Sequence, residues 1–362
     1  MKTKNLDNIF PPQFADPLIY VCLRLPMAAL GIGVVALFQA HAASIVWTNA
    51  GDGNWNVAAN WNPKQVPGPG DHAFISNFTV FVTSGTTVNS LTLSGGTLSG
   101  TNTLTVSNVL NWTGGGMSGG GRTVIAPGAT LNLVNTNAVG LWEWTLENGG
   151  TVIWTGTGDL SCGSAVLTNR PGALWEVRNE RGFYYAGGGP LPQFDNAGTF
   201  RKSQGSGTNI FFGFPFNNYG AVEVQSGALL YSGSGFNHSG TVSVAAGAGL
   251  RLRCGGTATG AFALAGGAWL DWTDDTGLGY LLNPGAQLNG EGLYKVSRGI
   301  LSVNSAVAVQ NLDLVDSLGG TNTLTVSNVL NWTGGGMFGG GRTVIAPGAT
   351  LNLANTNAVG CR

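Results

Sequence analysis

The chain has 362 residues, with 16 Lys and Arg against 17 Asp and Glu, giving a formal charge of −1. Only 9% of the residues are charged, against about 25% in a typical soluble domain, so there is no basic field for nucleic acid or anionic lipid. Sixty glycines without a Gly-X-Y period exclude collagen, and a 43% hydrophobic content with 11 Trp and 16 Phe argues against disorder.

Lys2, Lys4 and Arg24 precede an apolar run from Met27 to Phe38, which ends at Ala40-His41-Ala42. A basic flank, an apolar core and a small-residue cleavage site predict a signal peptide over residues 1–42. The run is too short to span a bilayer, which takes about 20 apolar residues. No second such run follows, so no transmembrane span is expected after cleavage.

Residues 43–78 hold Trp47, Trp55 and Trp61, followed by Pro67, Pro69 and Asp71. A repeat array must cover the open edge of its first unit, and these rings suit such a cap. The alternative is a sugar-stacking platform built from the same rings.

From residue 79 onwards the chain repeats on two scales. Residues 101–140 recur at 321–360 with two changes, Ser118 to Phe338 and Val134 to Ala354. The shorter scale is structural: Gly220, Gly240 and Gly260 each open an apolar tetrad, and a Gly-Ala pair follows seven residues later in each unit. A 20-residue unit of short strands with Gly and Asn corners predicts an all-β fold. Its expected form is a right-handed parallel β-helix with Val222, Val224, Val242 and Val244 stacked inside. The competing fold is a β-sandwich, whose strands also recur closely, although Asn-Gly hairpin steps are scarce here.

The Trp-rich opening and the coil sequence FNNYGAVEVQSGALLYSGSG (residues 216–235) resemble large secreted bacterial surface proteins with autotransporter-associated β-strand repeats. The resemblance implies a β-solenoid that is secreted or displayed on a bacterial cell surface, and it implies no catalytic residue.

Candidate chemistry is sparse. Gly116-Met117-Ser118-Gly119-Gly120 matches a hydrolase nucleophile elbow, but the second copy puts Phe338 in place of the serine and no helix pattern follows. Asp271, Asp274 and Asp275, flanked by Trp269 and Trp272, are the weak catalytic candidates. Two carboxylates beside aromatic rings suit acid–base work on a sugar, and a plain inter-coil turn is the competing reading. Trp47, Trp55, Trp61, Trp269 and Trp272 are the carbohydrate-stacking candidates. Export makes a Cys162–Cys254 disulfide a candidate, whereas no metal site or cofactor is expected. The leading function is a non-enzymatic surface or secreted solenoid for adhesion, matrix contact or spacing. The alternative is a β-helix that binds or cleaves polysaccharide, so polysaccharide or cell-surface matrix is the expected partner. The second copy stops at Cys361-Arg362, where the first continues into Leu141-Trp142. That stop predicts a longer array or an end covered by another chain, including end-to-end self-association.

Overall fold

The computed structural model describes residues 43–354 and the strand Gly360–Cys361, and the expected signal segment lies outside the described residues. Among these residues the chain forms 41 short strands, one 3-10 turn at Ala58–Asn60 and no α-helix. The strands stack as a β-solenoid of about 13 turns, each of about 21 residues. Every pairing among the described residues is parallel except that of Ser44–Trp47 with Trp61–Asn62. The sandwich alternative is thereby rejected, since a sandwich needs antiparallel neighbours.

Each complete turn contributes one strand to each of three ladders. The first face includes Thr145–Asn148, Val166–Asn169, Gln193–Asn196 and Phe216–Asn218. The second includes Thr151–Trp154, Leu174–Val177, Thr199–Lys202 and Ala221–Val224. The third runs from Val139–Trp142 through Thr208–Phe212 and Ala228–Ser232 to Trp269–Thr273. The 20-residue step of the sequence sets the register directly: Ala221 faces Thr241, which faces Ala261. The four valines expected inside are all buried.

Alternation along each strand puts apolar side chains inward and polar ones outward. The interior is one continuous core, with aromatic columns at its centre. Phe183, Phe211 and Tyr231 stack from rung to rung at 4.1 and 4.7 Å between ring centroids, as do Phe194, Phe216 and Phe236 at 4.9 and 5.7 Å.

Corners are made by tight turns such as Ala126-Pro127-Gly128-Ala129. There the Ala129 amide donates to the Ala126 carbonyl at 2.9 Å, and Gly128 has φ +82°. Proline second and a positive-φ glycine third fit a type II turn, which explains the recurring Gly-Ala pairs.

The two copies of the duplicated cassette occupy different faces. In the first copy Thr103–Trp112 contributes to the first and second faces, through Arg122–Ile125 and Thr130–Leu133. In the second copy Thr323–Trp332 contributes to the second and third faces, because its latter half continues the ladder of Val307–Leu314. The 220-residue spacing is not a whole number of turns, so an identical sequence is carried one face further round. Any activity lodged in the cassette would therefore point in two directions.

Candidate functional site

The sugar platform weighed as the alternative at the start of the solenoid does not form. Trp47, Trp55 and Trp61 are at most 3% exposed. Trp61 packs edge-on against Trp47 at 5.0 Å and Trp55 at 4.9 Å. The indole of Trp55 donates to the Pro67 carbonyl and that of Trp61 to the Trp55 carbonyl. These rings fill the first turn and present no face to a ligand. Trp272 is likewise interior, stacked on Tyr294 at 6.1 Å.

The Cys162–Cys254 disulfide is also absent. Both thiols are free and buried. They lie four rungs apart on the third face, about 19 Å at about 4.8 Å per rung, far beyond the roughly 7 Å that a disulfide spans between Cα atoms. Burial pushes the Cys254 thiol up to about 12 and Cys162 higher still.

The three aspartates lie close in sequence, but each carboxylate is separately engaged. Asp271 is only 5% exposed on the third face, between Arg251 and Lys295 of the adjoining rungs; an Arg251 nitrogen lies 3.4 Å from its Oδ2, and its Oδ1 has no hydrogen-bond partner. Asp274 accepts hydrogen bonds from the Thr276 amide and hydroxyl and from the Gly279 amide. Burial alone would raise its pKa, and those bonds outweigh burial and hold it below the ordinary value. Asp275 pairs with Arg253 at 2.6 Å. These contacts make two cross-rung ion pairs and one turn. Glu176 and Glu180 are similarly occupied, by Arg178 and by the Gly207 amide.

Trp269 is different. It is partly exposed on the third face, and an Arg251 guanidinium sits 5.3 Å from its ring centroid. An open groove of about 500 Å³ borders it, lined among others by Glu291, Asn311, Asp313 and Asn331. Sequence reasoning found Trp269 but missed these four partners. They lie 22 to 62 residues further along the chain, and only the ladder register Trp269–Leu293–Asn311–Val329 brings them alongside.

A second feature was missed altogether. Asn148, Asn169, Asn196 and Asn218 form a buried column at the end of the first-face strands. Each amide nitrogen donates to the next asparagine oxygen at 2.8 Å, and Asn218 reaches His238 instead, at 3.0 Å. Each also donates to a backbone carbonyl of a neighbouring turn. Such ladders satisfy buried polar groups rung by rung. The only sequence signal for it is an Asn at the end of each strand before a Gly-containing corner.

Among the described residues no cluster of three or more His, Cys, Asp or Glu is placed to hold a metal ion. No family profile, curated protein or solved structure matches the chain.

Proposed function

We propose that the chain works without turnover, as a stiff rod outside the cytoplasm that contacts a surface or matrix or sets a spacing. The observation that carries this reading is the continuity of the core. Among the described residues the parallel ladders continue over about 13 turns, giving a length of roughly 60 Å at about 4.8 Å per turn. Rods of this kind present flat side faces, and the cross-rung pairs Arg201–Glu223 and Arg253–Asp275 brace two of them. The signal-like sequence of residues 1–42 supports export.

A polysaccharide-cleaving reading draws on Glu291 and Asp313, two carboxylates that border one groove beside Trp269. The test is direct. The secreted protein is expected to begin near Ala43, to scatter X-rays as a rod, and to release no reducing ends from common polysaccharides. Turnover that disappears in Glu291→Gln or Asp313→Asn would replace the rod reading with the catalytic one.

A further inference from the structure

Two aromatic side chains on the third face, Trp269 and Trp142, lie over a glycine of a neighbouring rung instead of projecting. A Cβ built on Gly249, directly opposite Trp269 on the preceding rung, would fall 2.0 Å from the indole. The ring therefore rests on the sheet in the space that the glycine leaves. Trp142 repeats the arrangement over Gly163 on the following rung, where an added Cβ would lie 2.6 Å from the ring. Trp142 is 40% exposed and Phe212, on the same face, 51% exposed. An aromatic ring laid flat on a sheet turns one broad face away from it, and at Trp269 the Arg251 guanidinium lies over the ring, 5.3 Å from its centroid, so a ligand shares that face with it.

The groove beside Trp269 supplies the complementary polar groups. Asn311, Asn331, Asp313 and Glu291 border it; Asn331 donates to Asp313 at 2.7 Å and Asn311 to the Glu291 carbonyl at 2.8 Å, and the second amide proton and the remaining oxygen lone pairs of each are the groups a ligand could use. The charges nearest the ring are paired, Arg251 with Asp271 and Arg253 with Asp275, whereas Glu291 and Asp313 make no ion pair among the described residues, so the groove disfavours a ligand with anionic groups. The strands here are hydrogen-bonded on both sides, so no free edge invites a peptide strand. The balance of charge likewise disfavours nucleic acid.

We propose that this groove binds a neutral, hydroxyl-rich polysaccharide, with one sugar ring stacked on Trp269 and the hydroxyls of units two and three rungs further along hydrogen-bonded to Asp313 and Asn331. The chain of sugars runs along the solenoid axis, because one pyranose unit advances by about the height of one rung, about 4.8 Å. Apolar stacking with a few placed polar groups is the ordinary recipe for such sites. This names the partner for the non-catalytic rod and rests on that reading.

The experiment is retention of the full-length protein on insoluble cellulose, chitin and xylan, with melting curves and reducing-end assays on the same samples. Wild type is expected to bind at least one polymer. Trp269→Ala is expected to weaken binding by about tenfold, the loss of one stacking contact, and Trp269→Phe to recover part of it. Asn331→Ala, which leaves the ring in place but loses cross-rung hydrogen bonds with Asp313 and Asn352, is expected to weaken binding with at most a small shift in the melt. Failure of wild type to bind any polymer overturns the inference and leaves the rod reading intact. Binding unchanged in both alanine variants overturns this placement and leaves the ring only covering Gly249. Reducing ends released by a protein that still needs Trp269 to bind would overturn the non-catalytic reading and keep the groove.

Discussion

The amide of Asn218 donates to Nδ1 of His238 at 3.0 Å, while the opposite ring nitrogen, Nε2, donates to the Ala261 carbonyl at 3.1 Å. The network assigns the neutral tautomer with its proton on Nε2. A second proton would have to sit on Nδ1, against the Asn218 amide that already points there. His238 is thus the terminus of the asparagine column, standing where a fifth asparagine would.

Acid stability follows from that contact. Burial lowers the His238 pKa from 6.5 to about 4. The unfolded chain binds the extra proton first, so stability is full above about pH 6.5 and is lost as pH falls towards 4. The difference is worth about 3 kcal/mol. His238→Asn continues the column with a group that does not titrate. Urea midpoints at pH 7.5 and 4.5 are expected to separate by that much less in the variant. An equal acid loss in both proteins would remove His238 as the cause.

Within the column the cost of a deletion exceeds one hydrogen bond. Asn196 donates to Asn218 and to the Ala221 carbonyl and accepts from Asn169. Asn196→Ala leaves the Asn169 amide without its column acceptor and the Asn218 oxygen without its donor, both buried. The expected loss is about 2–4 kcal/mol, above the roughly 1 kcal/mol of a single exchanged bond. Denaturant melts of Asn196→Ala beside the outward Asn217→Ala provide the comparison. Equal effects would count against a buried column.

The parallel solenoid was legible because the Gly-Ala turns and alternating valines of 221–264 repeat at the rung spacing itself. The column was not, because its members lie 21, 27, 22 and 20 residues apart. Corners of unequal length absorb the difference, and only stacking aligns them. The same irregularity hides the rotation of the second cassette. Asp271 was a reasonable choice for a functional carboxylate, but its fate depends on Arg251 and Lys295, which local sequence does not place beside it. Trp47, Trp55 and Trp61 were read as either cap or platform, and composition alone does not tell a buried ring from an exposed one.

Cys162 and Cys254 yield a chemical prediction. A thiol reacts through its thiolate, and burial holds both of these protonated. Alkylation of the native protein, mapped by peptide mass spectrometry, is expected to leave both unmodified, and denaturant is expected to expose both together. A peptide pair linked between them would contradict the four-rung separation.

The duplication supplies an internal control for what the stacking contributes. Leu131 and Leu351 occupy the same cassette position, with the same neighbours in sequence. Leu131 lies between Leu110 and Val152 of the adjoining rungs and is fully buried. Leu351 pairs with Leu330 on one side, no described strand covers the other, and it is 42% exposed. Truncating a buried leucine costs about 2–5 kcal/mol through lost transfer energy and the cavity left behind, whereas a half-exposed one leaves no closed cavity. Leu131→Ala is therefore expected to lower stability by several-fold more than Leu351→Ala in the same full-length protein. The comparison holds local sequence fixed and varies only the next turn. Equal losses would mean that Leu351 is covered in solution, and concentration-dependent melting of wild type would then identify a second copy as the cover.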